Sequence, residues 1–205
     1  MSDTAEQYSE EWWAARLGIP TASMMGNIIT PTGKASTSAE TYMNQLLADW
    51  FAGHPVDQWK GNKFTEIGHE READTRALYE FLTDNEVTET GFHTKGDMLV
   101  GCSPDGLVGD SGMVEFKNPK GSTVIGYLLS NKMPGQYIPQ VQSSLWILER
   151  EWCDFMYSHP DITHKVIRVH RDEKYIETLA GLTAGFISKM LEKRALLEKY
   201  RAAAP

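Results

Sequence analysis

The feature that most constrains the fold is a cluster of short strand-forming segments in the middle of the chain, with helical patterns before and after it. The strand-forming segments occupy residues 86–92, 97–103, 105–109, 113–117, 152–158 and 164–170. The helical patterns cover about 10–17, 38–51, 66–82, 122–130, 137–149 and 172–201. Because the strands come in groups between helices, this order predicts an α/β fold with α+β-like character, in which a mixed sheet is flanked by helices.

Capping residues refine the first two helices. Ser9 and Ser38 are predicted to cap their N-terminal ends, and Gly53 is predicted to end the second helix. In the third helix, apolar residues fall on one side, namely Ile67, Ala73, Ala77, Leu78 and Phe81. The polar loop between the second and third helices contains Trp59, which we consider a candidate for contact with DNA or another subunit.

Length and composition limit the class of protein. The 205 residues, 41% hydrophobic and 23% charged, suit one globular domain over 1–205 with a long C-terminal helix at about 172–201. Apolar runs are too short to span a membrane, and the N-terminus lacks the basic start and apolar segment of a secretory signal. Cys102 and Cys153 show no zinc-binding spacing, so we expect a reduced, cytoplasmic protein.

The net charge of −8 argues against a protein that grips DNA by bulk positive charge. It is compatible with a protein that concentrates carboxylates at a metal site and keeps its basic residues for a DNA path.

The most informative segment contains Asp105 in a Ser-Pro-Asp-Gly turn, followed by Glu115-Phe116-Lys117. Strand side chains alternate, so Glu115 and Lys117 share a face and Phe116 points into the core. Directly opposed residues of an antiparallel hairpin lie on the same face, so Asp105 joins them if the turn has an odd number of residues. A three-residue loop, Asp110-Ser111-Gly112 with Gly112 left-handed, is predicted to meet this condition.

This set of side chains suits metal-dependent hydrolysis. Asp105 and Glu115 repel each other, and a hard divalent cation between them removes that cost. Mg²⁺ takes oxygen ligands and keeps several waters, one of which can become the attacking hydroxide. The carbonyl of Phe116 can supply another oxygen, and Lys117 can orient or deprotonate the water or neutralise charge on the phosphate. Taken alone, however, the pattern is short and occurs by chance in many proteins, and a solvated hairpin with a Glu/Lys pair is then the better explanation.

Five motifs in order strengthen the functional interpretation. They are residues 13–23 (WAARLGIPTAS), 68–72 (GHERE), 102–107 (CSPDGL), 115–117 (EFK) and 140–146 (QVQSSLW). In this register they resemble the lambda-type phage exonucleases, also called YqaJ-like viral recombinases, of the PD-(D/E)XK nuclease superfamily. The resemblance covers residues 12–190 and implies the restriction-endonuclease-like fold of that superfamily.

The resemblance implies a metal site with two Mg²⁺ ions, for which Mn²⁺ is a possible substitute. Asp105 and Glu115 are implied as ligands together with the carbonyl of Phe116, and Lys117 is implied as the catalytic lysine. A glutamate of the preceding helix matches Glu72. Glu70 competes with it, because the two side chains lie about 200° apart on a helix and only one can face the metals.

Further residues are implied to bind DNA. Arg16 matches an arginine that holds the 5′-phosphate, and Ser23 and Ser103 match hydroxyls beside it, although a helix cap or a turn bond also explains each serine. Gln140 matches a glutamine near the metals, and Tyr137 lies one helical turn before it. The arginine that the lambda enzyme has after its E-x-K motif is missing, and Lys120 or Thr123 are candidates to replace it.

The resemblance also implies the activity and the partners. It predicts a 5′→3′ exonuclease that digests one strand of double-stranded DNA to mononucleotides and leaves a 3′ overhang. The protein would be a ring-shaped homotrimer, encoded by a phage or prophage, and would work with a phage single-strand annealing protein. The alternatives are a PD-(D/E)XK endonuclease or repair nuclease and a DNA-binding protein with a vestigial site.

Overall fold

The structure is a computed structural model that describes residue 7 and residues 9–56 and 63–201, with the backbone alone described for 63–70 and 201. The helices are α1 Glu10–Arg16, α2 Ala39–Ala52, α3 Lys63–Thr83, α4 Gly121–Ser130, α5 Ile138–Leu148 and α6 Glu173–Arg201. The strands are β1 His93–Thr94, β2 Gly101–Cys102, β3 Gly106–Val108, β4 Gly112–Lys117, β5 Trp152–Ser158 and β6 His164–His170. Short 3₁₀ helices cover Ala22–Asn27 and Gly135–Tyr137.

Four strands form the central sheet in the order β3-β4-β5-β6. The β3–β4 and β5–β6 pairs are antiparallel, whereas β4 and β5 run parallel. A parallel pair needs a crossover connection, and here α4 and α5 lie between β4 and β5 in the chain. The predicted mixed sheet with flanking helices is therefore confirmed. β1 and β2 form a separate antiparallel pair.

The two strands predicted at 86–92 and 97–103 are wrong in extent. The first segment meets the sheet at one point only, where Thr88 and Leu107 exchange two backbone hydrogen bonds of 2.9 Å. Of the second segment, only β2 is a strand. The segment begins inside a turn, in which Gly96 has a φ of +54° and the Met98 amide donates to the Lys95 carbonyl at 3.0 Å. Short apolar segments contact the edge of a sheet in passing, and their composition does not distinguish this from a full strand.

The β3–β4 hairpin has an odd loop, as predicted, but the loop lies one residue earlier. Val108 pairs with Gly112, so the loop is Gly109-Asp110-Ser111, and Gly109 rather than Gly112 has the left-handed φ of +51°. A Cβ at Gly112 would lie 2.2 Å from the indole of Trp152. Glycine is thus required at 112 by packing, while the odd loop length preserves the predicted alignment of the hairpin faces.

Helix α3 packs on a different side from its apolar one. Phe81 is 85% exposed, and Ala73 and Ala77 are also exposed, whereas Thr75 and Tyr79 are buried. Of the predicted side, Leu78 is half-buried and contacts the core. The buried side is held by polar bonds. The Tyr79 hydroxyl donates to Asp154 of β5 at 2.8 Å, and the Thr75 hydroxyl donates to Asn118 at 3.0 Å. Tyr79 also packs on Phe116 and Met156, so the side of α3 that faces inward is the one that meets both the apolar and the polar groups of the sheet.

Helix α5 lies at the centre of the molecule. Val141 and Leu145 pack with Phe155 of the sheet, while Trp146 and Ile147 belong to the core shared with α2 and α6. Both faces of α5 are therefore buried, which fixes its position against the end of β4.

The predicted helix ends are mostly confirmed. Ser9 caps α1 by accepting the amide of Trp12, and Gly53 ends α2 with a φ of +77°. Ser38 precedes α2 but makes no side-chain capping bond. The helix predicted at about 172–201 is α6, and a single domain over 1–205 stays a prediction. Over the described part of the chain, no helix combines the length and apolar character needed to cross a membrane.

Candidate active site

A polar cavity of about 170 Å³ lies at the end of β4. Seven of the residues singled out from the sequence line it: Arg16, Ser23, Ser103, Asp105, Glu115, Lys117 and Gln140. They come from α1, the first 3₁₀ helix, the β2–β3 connection, β4 and α5. Segments far apart in the chain therefore converge on one small volume, which we call the polar cavity.

The hairpin register brings the two carboxylates together. Continuing the β3–β4 register from Gly106 and Val114 places Asp105 opposite Glu115. Asp105 Oδ2 accepts the amide of Phe116 at 2.6 Å, so its side chain lies along the edge of β4. The predicted convergence of Asp105, Glu115 and Lys117 is thus found in the structure.

Pro104 cannot donate a backbone hydrogen bond to the Phe116 carbonyl on the opposite strand. The amide and carbonyl of a strand residue point to the same side, and the Phe116 amide points to Asp105. The residue opposite Phe116 in the continued register is Pro104, which has no N–H to donate. The Phe116 carbonyl therefore points to the β3 side of β4, at a position where proline cannot supply a ladder hydrogen bond.

Glu115 is held firmly although it is buried. It is 2% exposed, and its Oε1 accepts Gln140 Nε2 at 2.5 Å and also contacts the ammonium of Lys117. Gln140 projects from the first turn of α5, where Pro139 starts the helix. The core position of α5 therefore determines the rotamer of Glu115.

The electrostatics of the cavity are unbalanced. Burial raises the pKa of Asp105 well above its usual value, and the charges of Glu115 and Glu72 raise it further. Burial opposes the charge of Lys117, but the carboxylates of Glu115 and Asp105 outweigh it and raise the pKa of this lysine. Lys117 is therefore an ammonium at neutral pH, facing more negative charge than it can neutralise.

This donor set fits Mg²⁺. The cation prefers oxygen ligands, and it is usually bound by one or two carboxylates while retaining several waters. Asp105 and Glu115 offer carboxylate oxygens in the polar cavity, and the Phe116 carbonyl belongs to the backbone next to Glu115. Within the described residues, no three His, Cys, Asp or Glu side chains form a ready-made ligand cluster. The arrangement suits a partly hydrated hard cation and not a fully protein-coordinated one such as structural zinc.

Glu72 lies near the carboxylates but does not line the polar cavity. Its charge acts on Asp105, and its carboxylate is 3.7 Å from Arg76 one turn further along α3. Arg76 also pairs with Glu89. The side chain of Glu70 lies outside the described residues, so the choice between the two glutamates rests on the position of Glu72 alone.

Arg16 and Ser103 form the opposite wall. The Arg16 guanidinium lies 4.0 Å from the ring centre of Trp12 and donates to Ser103 Oγ at 3.4 Å, and Trp12 Nε1 donates to the same oxygen at 2.9 Å. Because the Ser103 oxygen accepts both bonds, its own proton can be donated to a bound anion. Ser23 is exposed, with its hydroxyl 3.2 Å from that of Thr21.

Two of the predicted DNA-binding residues stand back from the polar cavity. Lys120 is an exposed residue at the N-terminal cap of α4 and is not among the lining residues. Tyr137 packs against Phe155 behind Lys117, whose ammonium is 5.5 Å from the tyrosine ring centre. Lys120 is thus not placed in the cavity wall as a replacement for the missing arginine, and Tyr137 supports Lys117 from behind.

The sequence reasoning missed several lining residues, including Gln7, Trp12, Thr21, Cys102 and Ser144. The position of Trp12 in the cavity could have been predicted from the sequence, because Trp12 lies four residues before Arg16 and therefore on the same face of α1. Gln7 had none, since its amide reaches the carbonyls of Thr90 and Pro104 across a long sequence distance.

The sequence matches one protein family over most of its length. Residues 11–151 match the family described as YqaJ-like viral recombinase domain. No curated protein matches the chain.

Three of the similar solved structures are of exonucleases. An alkaline exonuclease, LHK-Exo, from Laribacter hongkongensis is 30% identical, with a TM-score of 0.86 over 95% of this chain and 99% of that chain. The structure of LHK-Exo in complex with dAMP shows 32% identity and a TM-score of 0.85 over the same shares. A phage related exonuclease from Haemophilus somnus 129PT shares the fold, with 13% identity and a TM-score of 0.68 over 89% of this chain and 96% of that one.

Proposed function

Since this chain belongs to the family of YqaJ-like viral recombinase domains, we propose that it is a Mg²⁺-dependent deoxyribonuclease that digests linear double-stranded DNA from its 5′ ends. A nuclease activity follows from the family and from the similarity to an alkaline exonuclease. The mixed sheet and its flanking helices agree with the PD-(D/E)XK-like fold of those exonucleases. The Mg²⁺ requirement, the 5′→3′ direction of digestion and the preference for DNA ends are the further elements of the proposal.

One observation carries the proposal. The polar cavity places the carboxylates of Asp105 and Glu115 and the ammonium of Lys117 beside the Arg16–Ser103 pair. The first group suits hydrolysis of a phosphodiester, and the second suits binding of a phosphate that is not cleaved. A cavity that combines the two fits a DNA end better than the continuous backbone of an internal site.

The catalytic roles follow from the contacts. Asp105, Glu115 and the Phe116 carbonyl would hold two Mg²⁺ ions, with Glu72 as a further ligand directly or through water. Bound Mg²⁺, or Mn²⁺ in its place, supplies a water of lowered pKa and neutralises charge on the scissile phosphate. Lys117 orients that water and stabilises the developing negative charge. Gln140 keeps Glu115 in its ligating rotamer.

Recognition of the end is assigned to Arg16. A guanidinium can bind a terminal 5′-phosphate with two parallel hydrogen bonds, and Trp12 holds its plane in place. Ser103 and Ser23 add hydroxyl donors. Lys120, which is exposed outside the polar cavity, would contact the following nucleotides of the same strand, and Tyr137 would act through its contact with Lys117.

The product and the partners complete the proposal. The enzyme would release mononucleotides, such as the dAMP bound to the related exonuclease, and leave a 3′ overhang. That overhang would be coated by a phage single-strand annealing protein in the cytoplasm of a bacterial host. A homotrimeric ring around the duplex would reconcile processive digestion with the net charge of −8, because enclosure replaces tight static binding.

The deciding experiment is digestion of a linear duplex with a 5′-phosphate at one end only and a label on one strand. It is run with and without Mg²⁺, beside a covalently closed circle. We expect Mg²⁺-dependent release of mononucleotides from the phosphorylated 5′ end and an intact circle. Cutting of the circle would identify an endonuclease, and normal DNA binding without hydrolysis would identify a binding protein with a vestigial site.

The role of Arg16 has its own test. Arg16→Ala should lower the digestion rate more for 5′-phosphorylated ends than for 5′-hydroxyl ends, because it removes the bidentate phosphate contact. Arg16→Lys keeps the positive charge but cannot form two parallel hydrogen bonds. Its digestion rate on 5′-phosphorylated ends should therefore lie between the rates of the unmodified enzyme and of Arg16→Ala. An equal loss on both kinds of end would show that Arg16 does not sense the end.

A further inference from the structure

A second cavity, of about 210 Å³, adjoins the polar cavity. Among the described residues, the two cavities share Arg16 and Thr21 as lining residues and no others. We call the second one the side cavity. Its walls include Trp13 of α1, Leu17 directly after that helix, and Tyr42 and Leu46 on one face of α2.

The side cavity differs chemically from its neighbour. Apart from the shared pair, its described lining is mainly apolar and aromatic, and Trp13 and Met24 at its opening are 47% and 39% exposed. Arg16 contributes the one positive charge of this lining and Asp49 the one negative charge. A second phosphate is therefore disfavoured there, whereas a flat, uncharged ring with polar edges is favoured.

Two adjacent tryptophans on α1 divide the space around Arg16. Trp12 is buried, supports the guanidinium and donates to Ser103 on the side of the polar cavity. Trp13 packs edge-on against Trp12, with ring centres 4.7 Å apart, and lines the side cavity. One guanidinium thus separates a phosphate-binding volume from a volume with an exposed indole.

We propose that the side cavity binds the base of the 5′-terminal nucleotide of the digested strand while the phosphate of that nucleotide lies on Arg16. This inference rests on the proposed function, because it assumes a nucleotide in the polar cavity. In a nucleotide, one sugar separates the base from its 5′-phosphate, so a base can reach a cavity that begins at the same arginine. Unpairing of the terminal base is then coupled to its docking against Trp13.

The size and lining of the side cavity predict how selective it is. Pockets for drug-sized ligands span roughly 300–1,000 Å³, so the smaller side cavity suits a fragment such as one base. Stacking on an aromatic ring tolerates every base, because each base has a π-face. Gln45 and Asp49 lie at the rim on the same face of α2 and can contact the polar edges of a base. We therefore expect a weak preference among bases and not a sequence code.

The test compares two 5′-phosphorylated duplexes, one ordinary and one whose first nucleotide is an abasic tetrahydrofuran. The unmodified enzyme should digest the abasic end more slowly by roughly 5- to 150-fold in kcat/KM, the factor that one stacked base contributes. Trp13→Ala should show the same loss on the ordinary end and no further loss on the abasic end. Trp13→Phe should restore most of the rate, and Phe81→Ala, which removes a distant exposed ring, should leave it unchanged.

Equal digestion of both ends by the unmodified enzyme would overturn the proposal, as would an equal slowing of both ends by Trp13→Ala. A binding measurement separates this outcome from failure of the proposed function. If DNA is not digested at all, calorimetry still compares dAMP with 2-deoxyribose 5-phosphate. Tighter binding of dAMP that Trp13→Ala removes supports the side cavity as a base site, and equal binding of both ligands rejects it.

Discussion

Two buried carboxylates on neighbouring strands differ in how completely they are neutralised. Asp154 of β5 and Glu115 of β4 are each 2% exposed. Asp154 accepts two hydrogen bonds from the guanidinium of Arg168, at 2.9 and 2.8 Å, and a third from Tyr79. One negative charge faces one positive charge there, and both carboxylate oxygens are bonded.

Glu115 has no such balance. Lys117 and Gln140 contact one of its oxygens, while the carboxylate of Asp105 lies close enough to have its own pKa raised by the charge of Glu115. Glu72 adds to this negative charge. The Asp154 group is a closed structural ion pair, whereas the Glu115 group needs a further cation. Burial of an acid is thus a weak sign of function, and an uncompensated group of acids is a stronger one.

The largest expected difference between the two groups is catalytic. Lys117→Ala should lower DNA cleavage by roughly 10²–10⁴-fold, because it removes the charge that orients the water and stabilises the transition state. The protein should still fold, since the lysine is partly exposed, but with some loss of stability because the buried Glu115 loses its ion pair. Cleavage of labelled duplex and circular dichroism measure the two properties. Lys165→Ala on β6 is the control, and near-normal turnover of the Lys117 variant would refute its role.

Binding of Mg²⁺ should stabilise the Glu115 group and depend on pH. The raised pKa of Asp105 means that the metal-free folded state favours the protonated acid, so its contribution to stability is largest at low pH and is lost as pH rises through the folded pKa. Mg²⁺ binds the ionised form, so its stabilising effect should grow over the same range. At 100 times the dissociation constant the gain is about 2.7 kcal/mol.

Thermal unfolding with and without Mg²⁺ at several pH values measures this effect. Asp105→Asn should remove the Mg²⁺ effect and raise the stability of the metal-free protein at neutral pH, because it removes a desolvated charge. A stabilisation by Mg²⁺ that persists in this variant would place the ion elsewhere.

Breaking the Asp154 group should affect stability and leave the chemistry intact. Asp154→Asn should lower the free energy of unfolding by about 1–3 kcal/mol, less than for a fully buried pair because the Arg168 side chain is 46% exposed and can turn to solvent. Urea unfolding measures the loss, with Asp161→Asn on the surface as the control. Cleavage per folded molecule should stay unchanged, and a selective loss of cleavage would show that the two groups are coupled.

The smallest effect is expected at Tyr79. Tyr79→Phe removes one hydrogen bond to Asp154 and should cost about 0.5–1.5 kcal/mol. Burial and Asp154 raise the pKa of Tyr79 to about 12, so its hydroxyl remains a donor at neutral pH. Tyr200→Phe at an exposed site is the comparison in urea unfolding, and equal stability of the two variants would show that Arg168 alone satisfies Asp154.

The hairpin shows how far sequence reasoning reaches. The alternation of strand side chains and the odd loop length placed Asp105 on the face of Glu115 and Lys117, although the loop itself was off by one residue. The predicted face was still correct, because the face on which a side chain lies depends on whether the loop has an odd or an even number of residues and not on the exact pairing. The register depends on contacts with residues such as Trp152, which packs on Gly112 from the neighbouring strand β5, 40 residues later in the chain.

Helix α3 shows where that reasoning fails. Its apolar residues predicted that their own face would be buried. In the structure, Tyr79 and Thr75 face inward instead, where Tyr79 donates to the buried carboxylate of Asp154 and Thr75 donates to Asn118. The hydrophobic pattern of one helix contains no information about the polar group that it will meet. For the same reason, the position of Lys120 outside the polar cavity could not be read from its sequence neighbours.

Local periodicity and ordered motifs were enough to predict most of the helices, the four strands of the central sheet, the faces of the β3–β4 hairpin and the family to which the chain belongs. The tertiary structure alone decided which acids are neutralised, which face of α3 is buried and that Arg16 separates two cavities. These properties depend on which segments, distant in the sequence, come into contact in space. The burial and the charge of those contacts then determine what each side chain can do.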